Sequence, residues 1–205
     1  AGIGKTTRGA KVCETLRGSR PLFWRQVRPW DTAIDLATRV AMFLKALGRT
    51  GLHNHFSVSE ARELSRIEEL LVEDLAGLRA VLIFDDVQYA SEDAEAFLSL
   101  FSRVLQVQRG TSALFLSRTA PRFCSQREVV LEGSIMAMTL GGLDKKSSAA
   151  LLTDAGVPVA LINRFTEAAG GSPLFLQLFA GRGAQEATAE GWNSVATYIA
   201  EQIEP

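Results

Sequence analysis

Cysteine and histidine are scarce in this chain: two of each among 205 residues, at Cys13, Cys124, His53 and His55. Two cysteines cannot build a disulfide framework, and each sits where a small apolar residue would serve, so both are expected as reduced thiols. His53 and His55 stand in Leu52-His53-Asn54-His55-Phe56 with no cysteine or carboxylate nearby to complete a metal-ligand set. They are read as residues of a solvated loop. No run approaches the 18 apolar residues that a membrane-spanning helix needs, and the start carries no signal-peptide pattern, so no membrane partner and a cytoplasmic location are expected. An excess of one charge is missing too. With 22 Lys and Arg against 23 Asp and Glu, the net charge of -1 gives no overall pull toward nucleic acid, and direct nucleic-acid binding by this segment is not expected. Internal repeats and low-complexity tracts are lacking.

What is present begins at once. Gly2-Ile3-Gly4-Lys5-Thr6-Thr7 matches the second half of the phosphate-binding pattern G-x-x-x-x-G-K-[ST], in which backbone N–H groups wrap phosphates, the lysine neutralises them and the hydroxyl meets Mg²⁺. Gly4, Lys5 and Thr6 take its last three places, while its first glycine falls before Ala1. The sequence is therefore expected to be a piece of a longer chain that enters inside its own motif, without the strand that leads into it.

The hydrophobic fraction of 47% is enough for a sizeable core. Residues 6–16 read as a helix with its N-terminus toward phosphate, 21–27 as a strand, and 32–47 as a helix with an apolar stripe. Residues 48–56 read as a loop. Ser57 or Ser59 is placed as the cap of a long helix through Leu75. Arg79 to Phe84 is a continuous apolar run, the pattern of a central parallel strand covered on both faces. A helix over 91–106 and strands over 112–116 and 128–131 follow. From Leu140 onward only helices are expected, near 144–153, 158–168, 173–180 and 187–203, punctuated by glycines.

Strands alternating with helices predict an α/β fold, a doubly wound and mostly parallel sheet of the P-loop NTPase kind over residues 1–135. A small all-helical subdomain is expected over 136–205.

Eighty residues after Lys5, the strand Val81-Leu82-Ile83-Phe84 ends in Asp85-Asp86. The C-terminal end of a parallel strand opens into the crevice where open α/β sheets bind ligands. Asp85 is the candidate for Mg²⁺, and Asp86 for orienting or deprotonating an attacking water. Arg118 closes the next buried strand, where a guanidinium can fork onto phosphate oxygens. Gly171-Ser172-Pro173 precedes an apolar helix and, read alone, means a turn with proline at the first helical position.

These pieces, in this order, resemble the STAND class of P-loop ATPases, the signal-transduction ATPases with numerous domains, and within it the NB-ARC-like nucleotide-binding modules. AGIGKTT is similar to the family's P-loop, VLIFDDVQYA to its Walker B segment, FLSR to its phosphate-sensing strand, and LGGLDKKSSAALL with GGSPLFLQLF to its helical ARC subdomain. The resemblance implies ATP/ADP and Mg²⁺ as ligands. Gly2, Ile3, Gly4, Lys5, Thr6 and Thr7 would cradle the phosphates, Thr6 and Asp85 hold the metal, and Asp86 direct the water. Arg118 would contact the γ-phosphate, and Pro173 would lie on the base side of the pocket.

It also implies a slow ATPase acting as a regulatory switch, joined to further domains of the same chain (a sensor or effector, a winged helix, repeats), with scope for a nucleotide-dependent homo-oligomer. Two alternatives stay open. One is an AAA+-like remodelling ATPase that uses an arginine finger, with Arg103, Arg109, Arg118, Arg122 and Arg127 as candidates; the other is an interaction scaffold without turnover.

Overall fold

The computed structural model describes residues 2–58, 63–124, 129 and 133–183. They fall into two compact units, one of Thr6–Ala137 and one in which residues 2–5 join the described residues from 138 onward. No helix among the described residues is long and apolar enough to cross a membrane.

The first unit is organised by β2 (Val81–Asp85), which pairs in parallel with β1 (Leu22–Gln26) on one side and β3 (Ser112–Phe115) on the other. All five residues of β2 are buried, as its unbroken apolar run predicts for a central strand. Alternation sends Leu82 and Phe84 into the main core, and Val81 and Ile83 into a smaller cluster with Leu116 and, from α1 (Lys5–Leu16), Cys13 and Leu16. The main core is closed by α2 (Ala33–Ala46), α4 (Leu64–Leu75) and α5 (Glu92–Val107). Phe84 stands at its centre, with ring centroids of Phe23, Phe101 and Phe115 5.7, 5.7 and 5.6 Å away.

Helix α1 approaches the sheet through a glycine. A Cβ at Gly9 would come within 2.8 Å of both Leu116 and Trp24, so only a residue without a side chain lets this helix lie so close. Helix α2 starts with a capping box. The Thr32 hydroxyl accepts from the Asp35 N–H, and the Asp35 carboxylate accepts from the Thr32 N–H and hydroxyl. Those bonds hold the Asp35 carboxyl below its ordinary pKa. Its contribution is thus fully present above the ordinary Asp value and is lost as pH falls through the lowered one.

Two expectations are corrected. Residues 48–56 are not a loop throughout, because α3 covers Gly51–Val58, with both histidines on it. The reason is a tertiary cap: Asp74 of α4 accepts from the backbone N–H groups of Gly51 (3.1 Å) and Leu52 (2.9 Å). The helix expected from Ser57 or Ser59 begins only at Leu64. Ser57 lies inside α3 and donates to the carbonyl of His53, while Ser59 is outside the described residues. The strand expected over 128–131, apart from Val129, and the helix near 187–203 also fall outside them.

Among the described residues the second unit contains three helices, α6 (Lys145–Asp154), α7 (Val159–Ala169) and α8 (Pro173–Gly183). Their core is built from Leu152, Ile162, Phe165, Leu176 and Phe179, with the two phenylalanine rings stacked at 4.9 Å. Asp144 caps α6 by accepting from the Ser147 N–H. At Gly171 a Cβ would lie 2.5 Å from the Leu143 carbonyl oxygen, and φ is +78°, so the turn into α8 requires glycine on both counts.

Three outcomes follow for denaturant unfolding and hydrogen exchange. Phe84→Ala is expected to cost about 3–5 kcal/mol, as for a large ring removed from a closed core. Gly9→Val should cost about 1–3 kcal/mol by overpacking and should speed amide exchange in α1 first. Asp74→Ala should free the α3 amides to exchange while β2 stays protected; equal protection of α3 in that variant would contradict the tertiary cap.

Candidate functional site

The candidate site grows from the carboxyl end of β2. Asp85 continues the strand's alternation on the same side as Val81 and Ile83, the side that α1 covers. It is 4% exposed. One carboxylate oxygen, Oδ2, accepts from the Thr6 hydroxyl at 2.8 Å, and the other, Oδ1, accepts from the backbone N–H of Asp86 at 2.9 Å. Thr6 reaches it from the first turn of α1. The preceding residues enter that helix through two positive-φ glycines, Gly2 at +72° and Gly4 at +88°. Lys5, the first residue of α1, is half-buried, while Thr6 and Thr7 are exposed. The leading N–H groups of such a helix have no intrahelical partner and carry the positive end of its dipole.

Asp86 leaves the sheet. Its φ of 57° and ψ of 38° are left-handed, which makes it the one non-glycine residue with positive φ among those described. Such a conformation costs about 1–3 kcal/mol and persists where the surroundings over-determine it. Here the next residue is pinned: the Val87 N–H donates to the Leu116 carbonyl at 3.0 Å. The Asp86 side chain accepts from Gln26 Nε2 on Oδ2 and from Gln88 Nε2 on Oδ1, both at 2.9 Å. Gln88 Oε1 in turn accepts from the Arg118 N–H at 3.0 Å.

Arg118 follows β3 and is exposed, with its guanidinium carbon 5.7 Å from the Tyr89 ring centroid. The neighbouring Ser117 hydroxyl is buried without a hydrogen-bond partner. Thus Thr6, Asp85, Asp86 and the Arg118 backbone meet around the ends of three parallel strands.

In the second unit, Gly2 packs on the first turn of α8. Its carbonyl accepts from the Leu174 N–H at 3.3 Å, and a Cβ on Gly2 would lie 2.5 Å from that of Leu174. Pro173, the first residue of α8, adjoins this contact and is half-buried, as are Ile3 and Gly4.

Sequence reasoning passed over Gln26 and Gln88. The available signal for Gln26 was register: a polar residue ending an apolar strand, opposite Asp85 in the ladder. Gln88 gave no such signal, because its role depends on the fold returning residue 118 to its side.

No family model matches the chain, and no curated protein matches it. Among solved structures, a Signal Transduction ATPase with Numerous Domains (STAND) protein with a tetratricopeptide repeat sensor, from Pyrococcus horikoshii, superposes with a TM-score of 0.63 at 18% identity. The match covers 100% of this chain and 29% of that protein. At that identity the likeness shows the fold alone, an α/β architecture with a small parallel sheet flanked by helices, and this chain spans under a third of the longer protein's length.

Proposed function

We propose that this chain is the ATP/ADP-binding regulatory module of a STAND-like signalling ATPase. The observation that carries the reading is the 2.8 Å contact between Thr6 and Asp85, which joins a glycine-entered helix start to the end of a wholly buried strand. Both groups are hard oxygen donors. Their separation suits neighbouring oxygens around a Mg²⁺ whose ligands stand at about 2.0–2.1 Å, so Thr6 and Asp85 would hold that ion, directly or through its waters. Held there by Thr6 and Asp85, such a cation would supply neutralisation of phosphate charge.

The rest of the chemistry belongs to this chain's own residues. The N–H groups of residues 2–7 and the Lys5 ammonium bind the phosphates. Asp86 orients a water and accepts its proton as the water oxygen bonds to the γ-phosphorus and the bond to the bridging oxygen breaks, giving ADP and phosphate. Arg118 leaves Tyr89 for the γ-phosphate, a bond that ADP cannot make. That difference is what a switch requires, since a ligand with equal affinity for two states shifts neither. By the resemblance to that family, Pro173 would lie on the base side of the nucleotide. Rearrangement of the helical unit, read by further domains of the same chain, would form the output, with slow hydrolysis as its timer.

Calorimetric titration of the full-length protein with ATP and ADP provides the test. Lys5→Ala should abolish binding of both nucleotides. Arg118→Ala should weaken ATP by about 1.5–3 kcal/mol and leave ADP unchanged, as for loss of one charged hydrogen bond. A wild type that binds neither nucleotide would end this reading, and an Arg118→Ala variant that loses ATP and ADP equally would remove the switch from it.

A further inference from the structure

The side-chain amide of Gln88 lies between two groups that together dictate its orientation. Its oxygen faces the Arg118 N–H, which can only donate, and its nitrogen faces Asp86 Oδ1, which when ionised can only accept. Flipping the amide would oppose donor to donor and acceptor to acceptor, so the orientation is fixed by chemistry. Gln26 performs the matching task from β1, donating to Oδ2. Asp86 is therefore held through both carboxylate oxygens by amides from two different segments, and one of these amides is itself tied to the backbone after β3.

We propose that Gln88 is a positioning residue that couples the Asp86 carboxylate to the backbone of Arg118, with Gln26 as the second arm of the clamp. The proposal rests on the hydrolytic reading above for its consequence, and on hydrogen bonds alone for its geometry. An ionised carboxylate has about four acceptor directions. The two amides occupy one direction on each oxygen and so fix the orientation of the carboxylate. If the Arg118 segment shifts as its side chain moves from Tyr89 to an anionic ligand, the bond at 3.0 Å carries Gln88 with it and Asp86 is re-aimed. Detection of the terminal phosphate and readiness of the base thereby become one event. Neither Gln88 nor Gln26 needs to touch nucleotide.

Two measurements on the full-length protein test this independently. In steady-state hydrolysis, Gln88→Leu should lower kcat about tenfold or more while KM for ATP and the ADP affinity stay within about twofold. Gln88→Glu, which keeps the acceptor for the Arg118 N–H but places a like charge against Asp86, should lower kcat at least as far. In an Asp86→Asn background, Gln88→Leu should bring no further loss, because groups acting through one another are not additive. An unchanged kcat in Gln88→Leu, or full additivity in the double variant, overturns the coupling.

The second measurement needs no turnover. The side-chain amide protons of Gln88 should exchange slowly in the nucleotide-free wild type and at the rate of exposed glutamine in Asp86→Ala. Fast exchange in the wild type overturns the clamp. Slow exchange in a wild type that does not hydrolyse ATP supports the clamp and overturns the hydrolytic reading instead.

Discussion

The complete burial of β2 is the constraint on which the other features depend. A five-residue strand with both faces out of water must be covered twice, and this chain covers it with unequal layers: α2, α4 and α5 on the side of Leu82 and Phe84, and α1 on the side of Val81 and Ile83. The second layer is thin. Gly9 is the one buried residue of α1, so this helix is held by a glycine-mediated approach to Trp24 and Leu116 rather than by a broad apolar stripe. A lightly anchored helix suits a segment whose first turn presents unsatisfied N–H groups, because the apolar residues that would anchor it more firmly would also crowd those groups.

Much of this arrangement was legible in the residues. The unbroken run Val81 to Phe84 announced a central strand, and the structure pairs it on both sides. Helix α1 was marked by the glycine-led motif before it, and α2 and α5 by their amphipathic patterns. What escaped was what distant parts of the chain supply. Helix α3 looks like a loop because its glycine and histidines favour no helix, and its first amides are satisfied by Asp74, over twenty residues later. No local pattern encodes that bond. Gln88 escaped for the same reason, since its partner arrives only when β3 is laid beside β2.

The same principle separates the elements that sequence periodicity identifies from those that it does not. Periodicity reports burial, and burial decides which segments become strands and amphipathic helices. Polar contacts at the ends of those segments follow from register. Gln26 faces Asp85 in the ladder because Leu22 faces Val81, and the apolar pairs Phe23–Leu82 and Trp24–Ile83 fix that alignment. A one-residue slip would turn every side chain of β1 to the opposite face and remove Gln26 from Asp86. The apolar core thus sets the positions of the polar groups without touching them.

Asp85 and Asp86 show how far adjacent, identical side chains can diverge. Two neighbouring carboxylates repel each other, and the repulsion grows as water is withdrawn. The chain keeps them apart in direction. Asp85 obeys the alternation of β2 and turns toward α1, where the Thr6 hydroxyl donates to one oxygen while the Asp86 N–H donates to the other. Asp86 breaks the alternation by taking left-handed backbone angles that a β-residue would not adopt, and two side-chain amides receive it at the rim. The strain at Asp86 is therefore the structural cost of giving one acid to the α1 side and the other to the open ends of the strands. Relaxing Asp86 into extended geometry would abolish the division of labour proposed for the pair. That makes the backbone conformation of residue 86, as much as its carboxylate, part of the candidate site.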